Sequence, residues 1–282
     1  MIGLSIVWTV AHLTLAEARR RRIVMAAVLC GAAFLAVYAT GVAFAYNELV
    51  RPNNFHSFVE RQAILTFLTV AGLYAANFLS VLFAVLLPVD TLSGEIDSGI
   101  MQTLASKPIR RADIVLGKWV GHGIIVSGYL LMLACGVVLA VRVIGGFAPL
   151  NLELALPLML LELVLLMTVA IAGGTRLTTV TNGVLALGFY GIAFVGGWLE
   201  QVGVFGRIDS LRTVGIVASL ISPPDAMWRL ASYHLQPGLM RDLAPAVFTT
   251  ASQPTPLMIW WAAGFTILTL AWAVRSFNRR AL

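Results

Sequence analysis

The chain has 282 residues, 59% of them hydrophobic and only 11% charged, far below the roughly 25% charged fraction of soluble globular domains. That balance argues against a soluble domain and for apolar runs of the roughly 20 residues that cross a bilayer as a helix. The net charge of +6 would suit a nucleic-acid partner, but the basic residues stand beside apolar runs, where they orient a membrane protein, so no nucleic acid is expected.

Residues 5–22, SIVWTVAHLTLAEARRRR, open the chain with helical spacing: Ile6, Val10, Leu13, then Ala16 and Glu17 drift from an apolar stripe to a charged end. The pattern fits an interfacial helix over residues 1–22, with Arg19, Arg20, Arg21 and Arg22 meeting anionic lipid headgroups. It equally fits a plain stop-transfer anchor. The apolar run that follows, with AFA at residues 43–45, imitates a signal peptide. It is longer than the usual core of about 7–15 residues, so no cleavage is expected.

Six apolar runs are long enough to span: residues 23–46, 62–89, 119–141, 154–175, 177–199 and 255–274. Backbone groups in hydrocarbon must be bonded within the segment, so each is predicted helical. Cys30 and Cys135 both lie inside these runs, with no Cys or His at ligand spacing, and neither a disulfide framework nor a metal site is expected. An even number of crossings puts both termini on one side. Arg19 to Arg22 together with Lys107, Arg110, Arg111, Lys118, Arg176, Arg275, Arg279 and Arg280 fall on that side, against Arg51, Arg61 and Arg142 in the short loops opposite. The bias predicts a multi-pass protein of the cytoplasmic membrane with both termini cytoplasmic.

Polar groups inside the spans are few. Glu162, in LPLMLLELVLLMTVA, would cost about 2.5–3.5 kcal/mol on insertion scales if charged and exposed to lipid, so it should face protein or water, or be protonated. It is a candidate translocation-path group or one end of an interhelical hydrogen bond. Asn77 is a similar candidate, and Thr66, Thr69, Tyr74 and Ser80 share its run. No enzyme signature is present. Gly117-Lys118 lacks the upstream glycine of a phosphate loop, there is no H-E-x-x-H, and the 4 histidines are scattered. The 9 methionines are dispersed rather than grouped for copper. Residues 201–255, on the outer side, are too apolar for a free loop. Two amphipathic helices are predicted there, one on Ile208, Leu211, Val214 or Gly215, and Ala218, the other opened by Ser222, Pro223 and Asp225. They would form a re-entrant or amphipathic outer segment, either a lid or peripheral packing.

One compact polar block interrupts the oil: DTLSGEIDSGIMQTLASKPIRRADIVLGKWVG, beginning at Asp90. Ser93 is placed to cap a helix, Glu95 and Asp97 to meet its positive end. Ile96, Ile100 and Leu104 form one stripe, and Glu95, Ser98 and Gln102 another. A short helix is predicted over residues 94–105, stopped by Lys107 and Pro108, with Arg110 and Arg111 starting the third span at headgroup level.

This block resembles the signature of the type 2 permease family of ABC exporters: Gly94 and Glu95, then Asp97 and Gly99, Leu104, Pro108, the basic pair Arg110 and Arg111, and the IVLGK run ending at Lys118. The whole layout is similar: an N-terminal elbow helix, six spans in one permease domain over residues 1–282, and a long outer segment before the last span. It looks most like permeases that pair with a separate ATPase, including the subgroup beside copper-enzyme maturation genes. The resemblance implies a homodimer, each copy bound to one ABC-type ATPase subunit that holds the ATP and magnesium, with no cofactor or catalysis in this chain. Residues 90–113 would be the cytoplasmic coupling-helix region, contacting the ATPase through Ser93, Gly94, Glu95, Asp97, Gly99, Gln102, Lys107, Pro108, Arg110 and Arg111. The shorter loop GGTRLTTVTNG, residues 173–183, would touch the same partner through Arg176.

The competing class is a self-sufficient channel or secondary transporter. It is disfavoured because no repeat links the two halves and buried charge is too sparse for ion coupling. An intramembrane enzyme would need paired catalytic groups within the spans, which are lacking.

Overall fold

A computed structural model describes residues 2–50, 58–94, 110–236 and 253–280. Among them every regular element is helical. In chain order these are α1 (Ile2–Ala18), α2 (Arg22–Ala45), α3 (Phe58–Val89), α4 (Arg111–Gly145), α5 (Leu152–Gly174), α6 (Thr179–Gly206), α7 (Asp209–Ile221), α8 (Pro224–Leu235) and α9 (Leu257–Asn278). A π-helical turn, Tyr46–Val50, extends α2, and Arg61 of α3 lies over the Tyr46 ring at 5.7 Å.

Six of these helices, α2 to α6 and α9, are long and apolar enough to cross a membrane. Their centres match the six apolar runs, but their ends do not. α4 begins at Arg111, at the basic pair expected to start the third span and eight residues before the apolar run opens at 119, and Asp113 and Lys118 in this extension are buried. α6 likewise continues past residue 199 to Gly206.

The bundle is built around α5. Its Leu163, Leu165, Leu166, Met167 and Ala170 are all fully buried, and α3, α4, α6, α8 and α9 pack on it. α2 is the peripheral span, with 6% of its membrane window buried against 61% for α5. It runs beside α4, where Tyr129 donates to the Ala27 carbonyl at 3.0 Å and the Leu35 side chain fills the space over Gly136.

α1 packs along the first half of α4, and small residues make the contact. A Cβ at Gly117 would lie 2.5 Å from Val10 Cβ and 2.8 Å from the Val7 carbonyl, and one at Gly121 would lie 2.8 Å from Thr14 Cβ. Gly117 and Gly121 stand four apart, the spacing that lets two helix backbones approach closely in a membrane. On this side of α1, Ala11, Thr14 and Ala18 are buried and Val10 of the predicted stripe meets Gly117, while Leu13 is exposed. The bulkier Trp8 also turns outward.

The segment after α6 folds back on the bundle. Arg207 takes a left-handed conformation (φ 53°), and α7 returns along α6, with the Ala218 methyl against Gly196 and Arg212 against Gly203. Ser222 donates to the Phe189 carbonyl at 2.7 Å. Phe189 is ten residues into α6, so α7 reaches about 15 Å from that helix's first turn. α8 then runs outward along α5, and the Asn151 amide donates to the His234 carbonyl at 3.2 Å. Nearly every residue of α8 is buried. The two predicted helices are present, but α8 lies inside the bundle rather than on its surface. Ser222 also departs from the sequence reading. Its hydroxyl is spent on Phe189, and α8 starts without a side-chain cap, at Pro224.

Candidate functional site

The loops on the face that carries the chain ends form one connected polar layer. α3 stops at Val89, just after Pro88, and Asp90 begins a turn in which the Gly94 N–H donates to the Asp90 carbonyl at 2.9 Å. The Asp90 carboxylate lies where a Cβ on Gly94 would stand, so a side chain there would make Asp90 swing away. Ser93 is buried. Its hydroxyl donates back to the Val89 carbonyl at 3.0 Å and lies 2.8 Å from the Thr179 hydroxyl. Ser93 thus ties the end of α3 to the start of α6 through one hydroxyl; the helix it is expected to cap lies outside the described residues. Thr179 also faces Asp90 Oδ1 at 3.3 Å.

Asn182, at the start of α6, ties the same corner. Its amide donates to the carbonyls of Val89 at 3.2 Å and Ala170 at 2.8 Å. Its oxygen occupies the space a side chain on Gly173 would need. Arg176, the expected charge of this loop, donates from Nε to Ser276 at 2.8 Å. Thr175 donates to the same serine at 3.0 Å. Arg280 closes the layer: its Nη1 donates to the Thr175 carbonyl at 2.6 Å, and its own carbonyl accepts from Arg111 at 2.5 Å. Arg110 stays exposed at the start of α4. The structure thus brings Ser93 and Gly94 to the loop that bears Arg176, and Arg111 to the end of α9. Glu95, Asp97, Gly99, Gln102, Lys107 and Pro108, with the helix expected over residues 94–105, lie outside the described residues.

His122 is a member of this corner that the sequence reading set aside. Its Nδ1 faces the Lys118 carbonyl at 2.8 Å, so Nδ1 carries a hydrogen, and the Nε2 of the neutral ring accepts from Thr91 at 3.0 Å. His122 therefore joins α4 to the turn that leads into the polar block. At the end of α1, partial burial would raise the Glu17 carboxyl, but Arg21, which donates to it at 2.6 Å, holds it below its ordinary value with help from Lys118.

Deeper in the bundle, Asn77 of α3 donates from Nδ2 to Glu162 Oε2 of α5 at 2.9 Å. Glu162 is fully buried and Asn77 is 3% exposed. The two polar candidates singled out from separate spans are thus partners. Their neighbours are aromatic, with Tyr74 edge-on to Trp228 at 5.5 Å between centroids. Thr69 and Ser80 donate to carbonyls four residues back in their own helix, which satisfies each hydroxyl without turning it toward a path.

A third polar group joins the helices near the opposite face. Arg229 of α8 donates to Glu200 of α6 at 2.7 Å and to Ser219 of α7 at 2.8 Å, and its Nε pairs with Asp225 at 3.0 Å. Asp225 in turn lies where a side chain on Gly197 would stand. From the sequence, Asp225 is singled out at a helix start and Arg229 is not. The available signal was Asp225 and Arg229 four apart on a predicted helix, the spacing of an intrahelical ion pair.

A six-span helical bundle with its loops bonded into one polar face is the architecture of a multi-pass membrane protein. The family model described as ABC-2 family transporter protein matches residues 8–282, and the chain belongs to that family, the type 2 permeases of ABC transporters. It is 32% identical over 124 residues to the probable ABC transporter permease protein NosY of Pseudomonas aeruginosa, a stretch covering 44% of this chain and 41% of that protein. It is 34% identical over 121 residues to the protein of the same name from Stutzerimonas stutzeri, covering 43% and 40%. In each case the matched stretch is less than half of the relative's length.

Proposed function

We propose that this chain is the membrane subunit of an ABC exporter of the cytoplasmic membrane, working as a homodimer driven by a separate ATPase subunit. ATP and magnesium belong to that partner. The partner docks on the face carrying the chain ends, with residues 90–113 as the coupling segment and Arg176 and its loop as the second contact. Glu95 is the central acidic contact, beside Ser93, Gly94, Asp97, Gly99, Gln102, Lys107, Pro108, Arg110 and Arg111. ATP-driven closure of the ATPase pair would move this segment and rock the spans as rigid bodies. Asn77 and Glu162 border the path.

The observation that supports this reading most is the bond between the Ser93 and Thr179 hydroxyls at 2.8 Å. It links the entry of the polar block to the loop before α6, so a push on either loop reaches α3, α5 and α6 together. The test is co-purification with a co-expressed ABC-type ATPase subunit. Glu95→Arg is expected to leave membrane insertion and dimerisation intact and to reduce recovery of the ATPase at least tenfold. Undiminished recovery of the ATPase by this variant would sink the docking assignment.

A further inference from the structure

The Asn77–Glu162 pair is only half bonded. Asn77 Nδ2 and Glu162 Oε2 meet at 2.9 Å, while the other polar atom of each group, Asn77 Oδ1 and Glu162 Oε1, is buried without a hydrogen-bond partner. An ionised carboxylate only accepts hydrogen bonds. It has nothing to offer the amide oxygen, and it would leave a charge and two acceptors unmet in the interior of the bundle. A carboxylic acid has one O–H. On Oε1, that hydrogen turns one orphaned acceptor into the donor the other lacks, and acid and amide close a ring of two hydrogen bonds. Exchanging the amide oxygen and nitrogen of Asn77 changes which carboxyl oxygen holds the hydrogen, not the need for it.

The surroundings favour the neutral form on independent grounds. The charge that reaches Glu162 is that of another acid, Asp225 of α8, itself paired with Arg229. From α3 and α6 the groups that sense Glu162 are the phenols Tyr74 and Tyr190. Among the described residues no cluster of His, Cys, Asp or Glu is arranged to hold a metal ion. A proton is therefore the cation that fits.

We propose that Glu162 and Asn77 are a proton-binding site, a neutral acid–amide pair that latches α3 to α5. If the two helices part and water enters, the O–H bond at Oε1 breaks, its electron pair stays on the carboxylate, and the proton passes to water. Only this release step rests on the transporter reading; the latch itself is tested without transport. The full chain reconstituted in lipid is compared by infrared absorption at neutral pH with Glu162→Gln and Asn77→Leu. The expected result is a protonated-carboxyl C=O stretch that is lost in Glu162→Gln and moves to higher frequency in Asn77→Leu, where the acid loses its acceptor. A difference spectrum between native chain and Glu162→Gln containing carboxylate bands alone overturns the proposal. So does failure of Glu162→Gln to fold, because glutamine reproduces both hydrogen bonds of the neutral acid. The swapped variant Asn77→Asp with Glu162→Gln is expected to restore the low-frequency carboxyl band. A swapped variant that is ionised overturns the latch as well.

Discussion

Arg229 holds three helices with one side chain. Its fork reaches Glu200 at 2.7 Å, Ser219 at 2.8 Å and Asp225 at 3.0 Å, and the arginine is 2% exposed. Removing one partner of a buried charged group strands the others, at about 3–5 kcal/mol. Arg229→Ala is expected to lower stability by that amount in thermal unfolding of the purified protein, and a loss under about 1 kcal/mol would contradict the burial of this network. Arg229→Lys keeps the charge but not the planar fork and should recover only part of the loss. Of the residues in this cluster, the pair Asp225 and Arg229 was legible from its spacing. Glu200 was not, because its partner lies 29 positions away and only the fold-back of α7 and α8 brings the two together. Asn77 and Glu162 were legible singly, as polar groups in oil, and not as a pair, since their 85-residue separation carries no periodic signal.

At the scale of elements, the junction of α1 and α4 depends on the absence of side chains at Gly117 and Gly121. A leucine at either position would press into Val10 or Thr14, and the helices would have to separate. Gly117→Leu and Gly121→Leu are expected to release α1 and so to speed limited trypsin digestion at the arginines at its end, most of which are already exposed. Gly128→Leu, where a Cβ meets nothing within 4 Å, is the control and should digest as the native chain does. Unchanged digestion of the Gly117 and Gly121 variants would mean that α1 is not held by this contact. The same two glycines select which face of α1 meets α4, which the apolar stripe alone does not show. Periodicity marks the residues that avoid water, and in a membrane helix the large apolar ones satisfy that requirement toward lipid as well as toward protein. The burial of α8 has a similar origin. Its polar residues suggested a surface helix, yet Asp225, Arg229 and Ser232 are buried, because Glu200 and Ser219 supply partners for the arginine inside the bundle.

For the molecule as a whole, an even number of spans places both ends on one face. That face is bonded together by Ser93 with Thr179, Arg176 with Ser276, and Arg280 with both Thr175 and Arg111. The clustering of basic residues there gives a direct expectation. A fluorescent reporter fused after Leu282 should be active, and an alkaline phosphatase fusion at the same point inactive, in keeping with cytoplasmic termini; the reverse pattern would reject this topology. The sequence by itself determined the membrane class, the number of spans and the family, because a span is a local property of about 20 consecutive residues and the GEIDSG and IVLGK segments are contiguous. Only the tertiary structure decided which helices enclose α5, which face of α1 meets α4, how deep α7 and α8 reach, and which buried polar groups satisfy one another. Those outcomes depend on contacts between residues far apart in the chain. In hydrocarbon the apolar pattern does not distinguish a neighbouring helix from lipid, so small residues and paired polar groups select the neighbours.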